Sequence, residues 1–274
     1  MNKYALTDLS ILDSERGVTL YRIVALRDIE TILGIVKKGD LGGYVASEHN
    51  LSQDDECWVF ANGKAFGQAI VTEDAVLNDF GIIQDDAELS GNVIIRNYGI
   101  VRENAIITGE CEIRGHAVIE GNVYLGGKYI IGDNACIAGD ARINGVGRIV
   151  NNSYIYGHST LDGNIHVSKE AVIGGYAQIK GNVKITDNAI VNEHSLISDC
   201  EVSGKCKILG YSNVDYDVGG NTVINMSLRD KKEVISKLKL FDPLLQQEKI
   251  NQSNQRQIDE IKKNLNKKGE EKES

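Results

Sequence analysis

The chain carries a six-residue alternation of side-chain size. Steps of six from Cys57 give Gly63, Ala69, Ala75, Gly81 and Ala87, and the series continues through Cys111, Ala117 and Ala135 to Ala189 and Ser195. Two residues after each stands an aliphatic one: Val59, Val71, Leu77, Ile83, Leu89, Ile95 and onward to Ile197. Twenty-four hexads run from Cys57 to Ser195 without an insertion. One residue is then dropped, and the pattern resumes at Cys200/Val202, Cys206/Ile208 and Ser212/Val214. Residues two apart in an extended segment share a face, so the small and aliphatic positions point together into a core. Pairs such as Gly139-Asp140, Gly121-Asn122 and Asp187-Asn188 recur just before the small residue and suit a sharp corner. The pattern predicts a strand of about four residues and a two-residue corner, three of which close a triangular coil of eighteen residues. Coils stack as parallel strands about 4.8 Å apart, so some nine coils over residues 57–226 make an all-β solenoid roughly 40 Å long.

A solenoid end exposes apolar core and unpaired strands, so it needs a cap. Residues 1–56 lack the hexad, hold strand-like stretches at 18–25 and 43–46, and are read as a small β cap. Trp58, Phe60 and Phe66 thicken the junction. The segment 39–53 reads as part of that cap rather than as a ligand loop. Beyond Met226 the composition changes: Val234, Ile235, Leu238, Phe241, Leu244 and Leu245 fall near helical spacing, interrupted by Pro243. Ile258, Ile261 and Leu265 follow, with Asn251 and Asn254 in the same heptad. Residues 227–274 are therefore expected to form a helix and a charged, disordered tail.

Two resemblances attach to these motifs. The run Ile131-Gly-Asp-Asn-Ala135 resembles the hexapeptide repeat of trimeric LpxA-like proteins, which implies a left-handed parallel β-helix and a homotrimer. Tyr21 to Asp28, Gly39 to Gln53 and Cys57 to Val59 are together similar to the YdcK-type β-solenoid family, over about residues 18–225. That family is labelled as acyltransferases and has relatives in prophages. The resemblance implies an acyl-CoA such as acetyl-CoA as cofactor, a site between subunits and a histidine as general base. Hexapeptide acyltransferases also carry a loop extruded over the pantetheine arm, for which the unbroken frame from Cys57 to Ser195 leaves no room.

Composition narrows the classes. Of 274 residues 29 are Gly and one is Pro, and the net charge is −9. Acidity argues against nucleic acid and anionic membranes as partners. No apolar run is long enough for a signal peptide or a membrane span, so a cytoplasmic location is expected. The five cysteines form no C-x-x-C pair. Cys57, Cys111, Cys200 and Cys206 stand at the small position, so free core thiols are expected rather than a metal site or disulfides.

Hexads three apart stack directly, which turns the sequence into columns. One corner column reads Asn104, Asn122, Asp140, His158, Tyr176, His194. If the protein is an enzyme, Asp140, His158, Tyr176 and His194 are the candidate general-base group. An exposed corner supplies no pocket by itself, so residues chosen for turn geometry are the plainer reading. The outward strand position sorts the faces. The Lys64 face presents Ile82, Ile100, Val118, Cys136, Tyr154, Val172 and Ile190, seven apolar rungs spanning about 29 Å. The Trp58 and Ile70 faces are mixed. A stripe of that length calls for a cover, either other copies of the chain or the C-terminal helix. The expectation is an oligomeric, non-catalytic scaffold or binding protein with no cofactor, and an acyltransferase as the alternative.

Overall fold

The computed structural model describes residues 2–232. The chain divides into two compact units, residues 1–225 and 226–274. In the second, the described residues are 226–232, where the side chains of Ser227 and Asp230 hydrogen-bond at 2.6 Å beside a helix that begins at Leu228. The expected heptad residues, Asn251 and Asn254 included, lie outside the described residues.

The first unit is a parallel β-solenoid of about ten turns. It opens with two antiparallel strands, β1 (Tyr4–Asp13) and β2 (Val18–Ala25), then a small hairpin of β3 (Ile29–Thr31) and β4 (Gly34–Val36). The next strand, β5 (Leu41–Val45), pairs antiparallel with β2 on one side and parallel with Lys64–Ala65 on the other. Parallel stacking therefore starts ahead of Cys57. Within the segment before it, Asn50 Nδ2 donates to the carbonyls of Gly67 and Ala69, closing the first corner.

Every column proposed from the hexads is a ladder. On the Lys64 face the registers run Lys64–Ile82–Ile100–Val118–Cys136–Tyr154–Val172–Ile190. The inward aliphatics from Val59 to Val214 are buried. Burying one such side chain stabilises by about 1.5–3 kcal/mol, so stacked cores of this kind dominate the energetics. Cys57, Cys111, Cys200 and Cys206 are buried and free, as expected; Cys136 is free and half-buried on the outside.

The corners have one backbone solution. Every sixth residue from Ala61 to Asp199 has positive φ, whether glycine or a residue such as Asp133 (φ 57°), Asn151 (φ 62°) or Lys169 (φ 61°). Asp and Asn offset the cost through their side chains. Asp133 Oδ2 accepts from the Asn151 backbone N–H of the next rung at 3.0 Å, and Asn151 Oδ1 accepts from that of Lys169 at 3.1 Å.

One corner departs from the regular triangle. Arg142–Ile149, Thr160–Val167 and Gln178–Ile185 are eight-residue strands that run continuously from the Ile70 face to the Trp58 face. Gly145, Gly163 and Gly181 pair across them where a tight turn stands elsewhere. The small position that follows this corner also departs from the size rule. It holds Tyr129, Ile165 and Val183, whereas the other two columns keep Gly, Ala or Ser nearly throughout. Bulk alone does not open the turn, since Val93 in the same column follows a regular corner between the separate strands Glu88–Leu89 and Ile94–Ile95. Gly147 lies next to Tyr129 in the column and has no side chain, which makes room for that ring; Tyr129 Oη donates to the Asn144 carbonyl at 3.1 Å.

Candidate functional site

Two arrangements on the solenoid carry chemistry. The first is the histidine corner, between the Lys64 and Ile70 faces. Its column is continuous: Asn104 Nδ2 donates to Asn122 Oδ1 (2.8 Å), and Asn122 Nδ2 to Asp140 Oδ1 (2.7 Å). Asp140 Oδ2 lies 3.2 Å from His158 Nδ1. His158, Tyr176, His194 and Tyr211 then stack ring on ring, with centroids 4.8, 5.0 and 4.6 Å apart. All four sequence candidates are thus brought together. Tyr211 extends the series beyond them; the residue dropped after Ser195 makes the last step 17 rather than 18 and hides it from a strict count.

The Asp140 carboxylate beside Nδ1 favours the tautomer that carries its proton there, with Nε2 as the basic nitrogen a general base needs. The setting is open, however. His158 and Asp140 side chains are 53% and 42% exposed, and Tyr176 is 52% exposed. An exposed ion pair of this sort contributes at most about 1 kcal/mol. Stacking occupies the ring faces, which leaves their edges to meet a substrate. A second aromatic ladder, Phe80–Tyr98–His116, stands on the corner between the Trp58 and Lys64 faces with centroids 5.1 and 4.9 Å apart.

The second arrangement is a groove on the Trp58 face, opposite the histidine corner. A cavity of about 620 Å³ is lined there by Ile94, Glu112, Ile130, Arg148 and His166, with Ile32 at its lip. Two smaller cavities adjoin it, and His166 borders all three. The lip is the β3–β4 hairpin, held at its base by the Arg27–Glu56 ion pair (2.9 Å). The outward side chains Trp58 and Val76 are buried, as are the hairpin's Ile29 and Val36, all within one core cluster. Sequence reasoning placed no pocket here. The available signals were the bulky Tyr129, Ile165 and Val183 in a column meant for small residues.

The Lys64-face stripe is as apolar as its sequence reads. Ile82, Ile100, Val118, Cys136, Val172 and Ile190 are half-buried, and Tyr154 is exposed and stacked on Tyr156 at 5.1 Å. The β1–β2 turn reaches its first rungs through ion pairs of Asp13 with Lys64 (3.0 Å) and Arg16 with Asp85 (3.2 Å).

Among the described residues no group of three or more His, Cys, Asp or Glu is arranged to hold a metal ion. Nor is any described helix long and apolar enough to cross a membrane.

No family model matches the chain, and no curated protein matches it. Solved structures do. A UDP-N-acetylglucosamine acyltransferase of Francisella novicida is similar over 58% of this chain and 63% of its own, at 18% identity and a TM-score of 0.38. The chain thus spans less than two thirds of that protein's length. A UDP-N-acetylglucosamine acyltransferase from Campylobacter jejuni is 22% identical over 58% of this chain and 72% of its own, TM-score 0.34. A Bacillus cereus protein described as an acetyltransferase is 14% identical over 56% of this chain and 86% of its own, TM-score 0.34. Likeness at these values assigns no residue a role.

Proposed function

We propose that the protein is a rigid β-solenoid scaffold that works as a homo-oligomer, with copies packed along the Lys64 face. The observation that carries this reading is the unbroken apolar stripe from Ile82 to Ile190, about 29 Å long at the rung spacing. Soluble chains seldom leave so long an apolar strip to water. A trimer is favoured, in keeping with the hexapeptide-repeat resemblance, and membership of the YdcK-type family with its prophage relatives is part of the same proposal. The test is the mass in solution of the full chain and of Val118→Glu. A carboxylate buried at the middle rung of an interface without a partner costs several kcal/mol, so the variant should dissociate. A wild-type monomer, or an unchanged mass for the variant, would sink the reading.

The Asp140–His158 pair favours one second reading, an acyl-CoA-dependent acyltransferase with its site completed between subunits. It expects acetyl-CoA and free coenzyme A to raise the melting temperature, since a ligand of the folded state alone stabilises it. It also expects His158→Ala to abolish acetyl transfer. No stabilisation by either compound excludes it.

A further inference from the structure

We propose that the groove on the Trp58 face binds a small amphiphilic anion, its apolar part over Ile94 and Ile130 beneath Ile32 and its phosphate or carboxylate at Arg148 and His166. This site lies within one chain, on a face other than the apolar stripe, and does not depend on the self-association proposed above.

The outward column changes character along the face. It begins with Trp58 and Val76, buried in the cluster that includes the hairpin residues Ile29 and Val36. Next come Ile94, Glu112 and Ile130, half-buried, and then Arg148, His166 and Lys184, exposed. The face therefore grades from buried apolar, through sheltered apolar, to basic. The hairpin tip overhangs the middle section, since Ile32 lines the same cavity as Ile94 and Ile130. At about 620 Å³ the cavity falls in the range that accepts small organic ligands, roughly 300–1,000 Å³.

Charge accounting fixes the sign of the ligand. Both acidic side chains in the wall are neutralised: Glu110 by Lys128 at 2.8 Å, and Glu112 by Arg96 and Arg114. Lys184 pairs with Glu201 at 2.9 Å. Arg148 and His166 are neighbours in register and make no side-chain hydrogen bond or ion pair among the described residues. An uncompensated guanidinium beside an imidazole attracts an anion. The planar fork of Arg148 suits the paired oxygens of a phosphate or carboxylate.

Spacing sets the shape. Ile94 and Ile130 are two rungs apart, about 10 Å, and Arg148 is one rung further, about 5 Å. The ligand is thus an apolar body of about 10 Å with the anion at one end. The opened corner adds Val146, 46% exposed, to the apolar wall.

The test titrates the full chain calorimetrically with octyl phosphate and with octanoate, each below its micellar range. Controls are 1-octanol, which lacks the anion, and inorganic phosphate, which lacks the chain. At least one of the two amphiphiles should bind, and which one does identifies the headgroup; each control should bind at least about tenfold more weakly. Arg148→Gln and Ile130→Asp should each weaken binding by about tenfold or more, while His194→Ala on the opposite corner leaves it unchanged. Arg148 is exposed, so its variant keeps the fold and isolates the charge. Failure of both amphiphiles to bind, binding of octanol as tightly, or binding untouched by Arg148→Gln would each overturn the proposal.

Discussion

Replacing Gly127 with alanine tests why one corner is built of glycine. Six consecutive rungs at this corner carry it: Gly91, Gly109, Gly127, Gly145, Gly163 and Gly181. Positive φ alone does not demand this, because Asn97, Asp133, Asn151 and Lys169 adopt φ of 55–62° at another corner. Distance does. A Cβ on Gly127 would fall within 3.0 Å of the O, N and C of Gly145, with the carbonyl oxygen nearer than at any other corner glycine. The same oxygen contact is 2.7 Å at Gly115, whose column neighbours Asn97 and Asp133 carry side chains. The backbone conformation costs an alanine about 1 kcal/mol. Pushing the rungs apart adds about 1–3 kcal/mol of overpacking and weakens cross-rung bonds such as Glu110 N–H to Gly127 O (2.7 Å), worth about 1 kcal/mol each. The expected loss is about 4 kcal/mol from these contributions together. Gly220 supplies the control. Its φ is 73°, yet nothing stands within 4 Å of its would-be Cβ, so Gly220→Ala should lose only about 1 kcal/mol. Urea denaturation of both variants, read by far-ultraviolet circular dichroism, measures the difference. Equal losses would show that conformation, not close approach, selects glycine here.

Two further outcomes follow from buried ionisable groups. Lys3 is fully buried at the solenoid's first end, where its Nζ donates to the carbonyls of Asp55 (2.7 Å) and Cys57 (2.8 Å). Burial pushes its pKa below the usual lysine value. Lys3→Met keeps the bulk but leaves two carbonyls unmet, and should cost about 2 kcal/mol in denaturant titrations; a variant as stable as wild type would refute this role. Burial raises the Cys111 thiol from 9.0 to about 11, and burial raises Cys57, Cys136 and Cys200 as well. The unfolded chain ionises first, so this contribution is whole below pH 9 and is lost as pH rises towards 11. For Cys111 it amounts to about 3 kcal/mol, and Cys111→Ala should flatten the alkaline decline by that much; an unchanged slope would contradict it.

The sequence made the solenoid legible because one side-chain rule repeats at fixed spacing, and each column could be written down before its ladder was seen. The histidine ladder followed from the same counting, and Tyr211 escaped only because of the dropped residue. The groove was hidden for a different reason. The β3–β4 hairpin precedes the repeat, so no period places Ile32 over Ile94. Tyr129, Ile165 and Val183 break the size rule, but so does Val93, whose corner keeps its turn between separate strands. Unpaired charge was invisible for a related cause. Arg148 and Lys184 read alike in a column, and only the structure shows that Lys184 has met Glu201 while Arg148 has no such partner among the described residues.

The cross-rung hydrogen bonds have a kinetic consequence. Along most of the solenoid they join residues 17 apart, as from Ile82 N–H to the Gly99 carbonyl and from Val172 N–H to that of Ala189. Loop closure therefore costs the same at every step, and adding coils lengthens the molecule without adding longer-range contacts. Such a chain can nucleate at any pair of adjacent coils and zip outward in both directions. Opening proceeds in reverse, from the ends. Amide hydrogen exchange should then be graded, slowest around the rungs of Ile119 to Ile155 and faster towards either terminus.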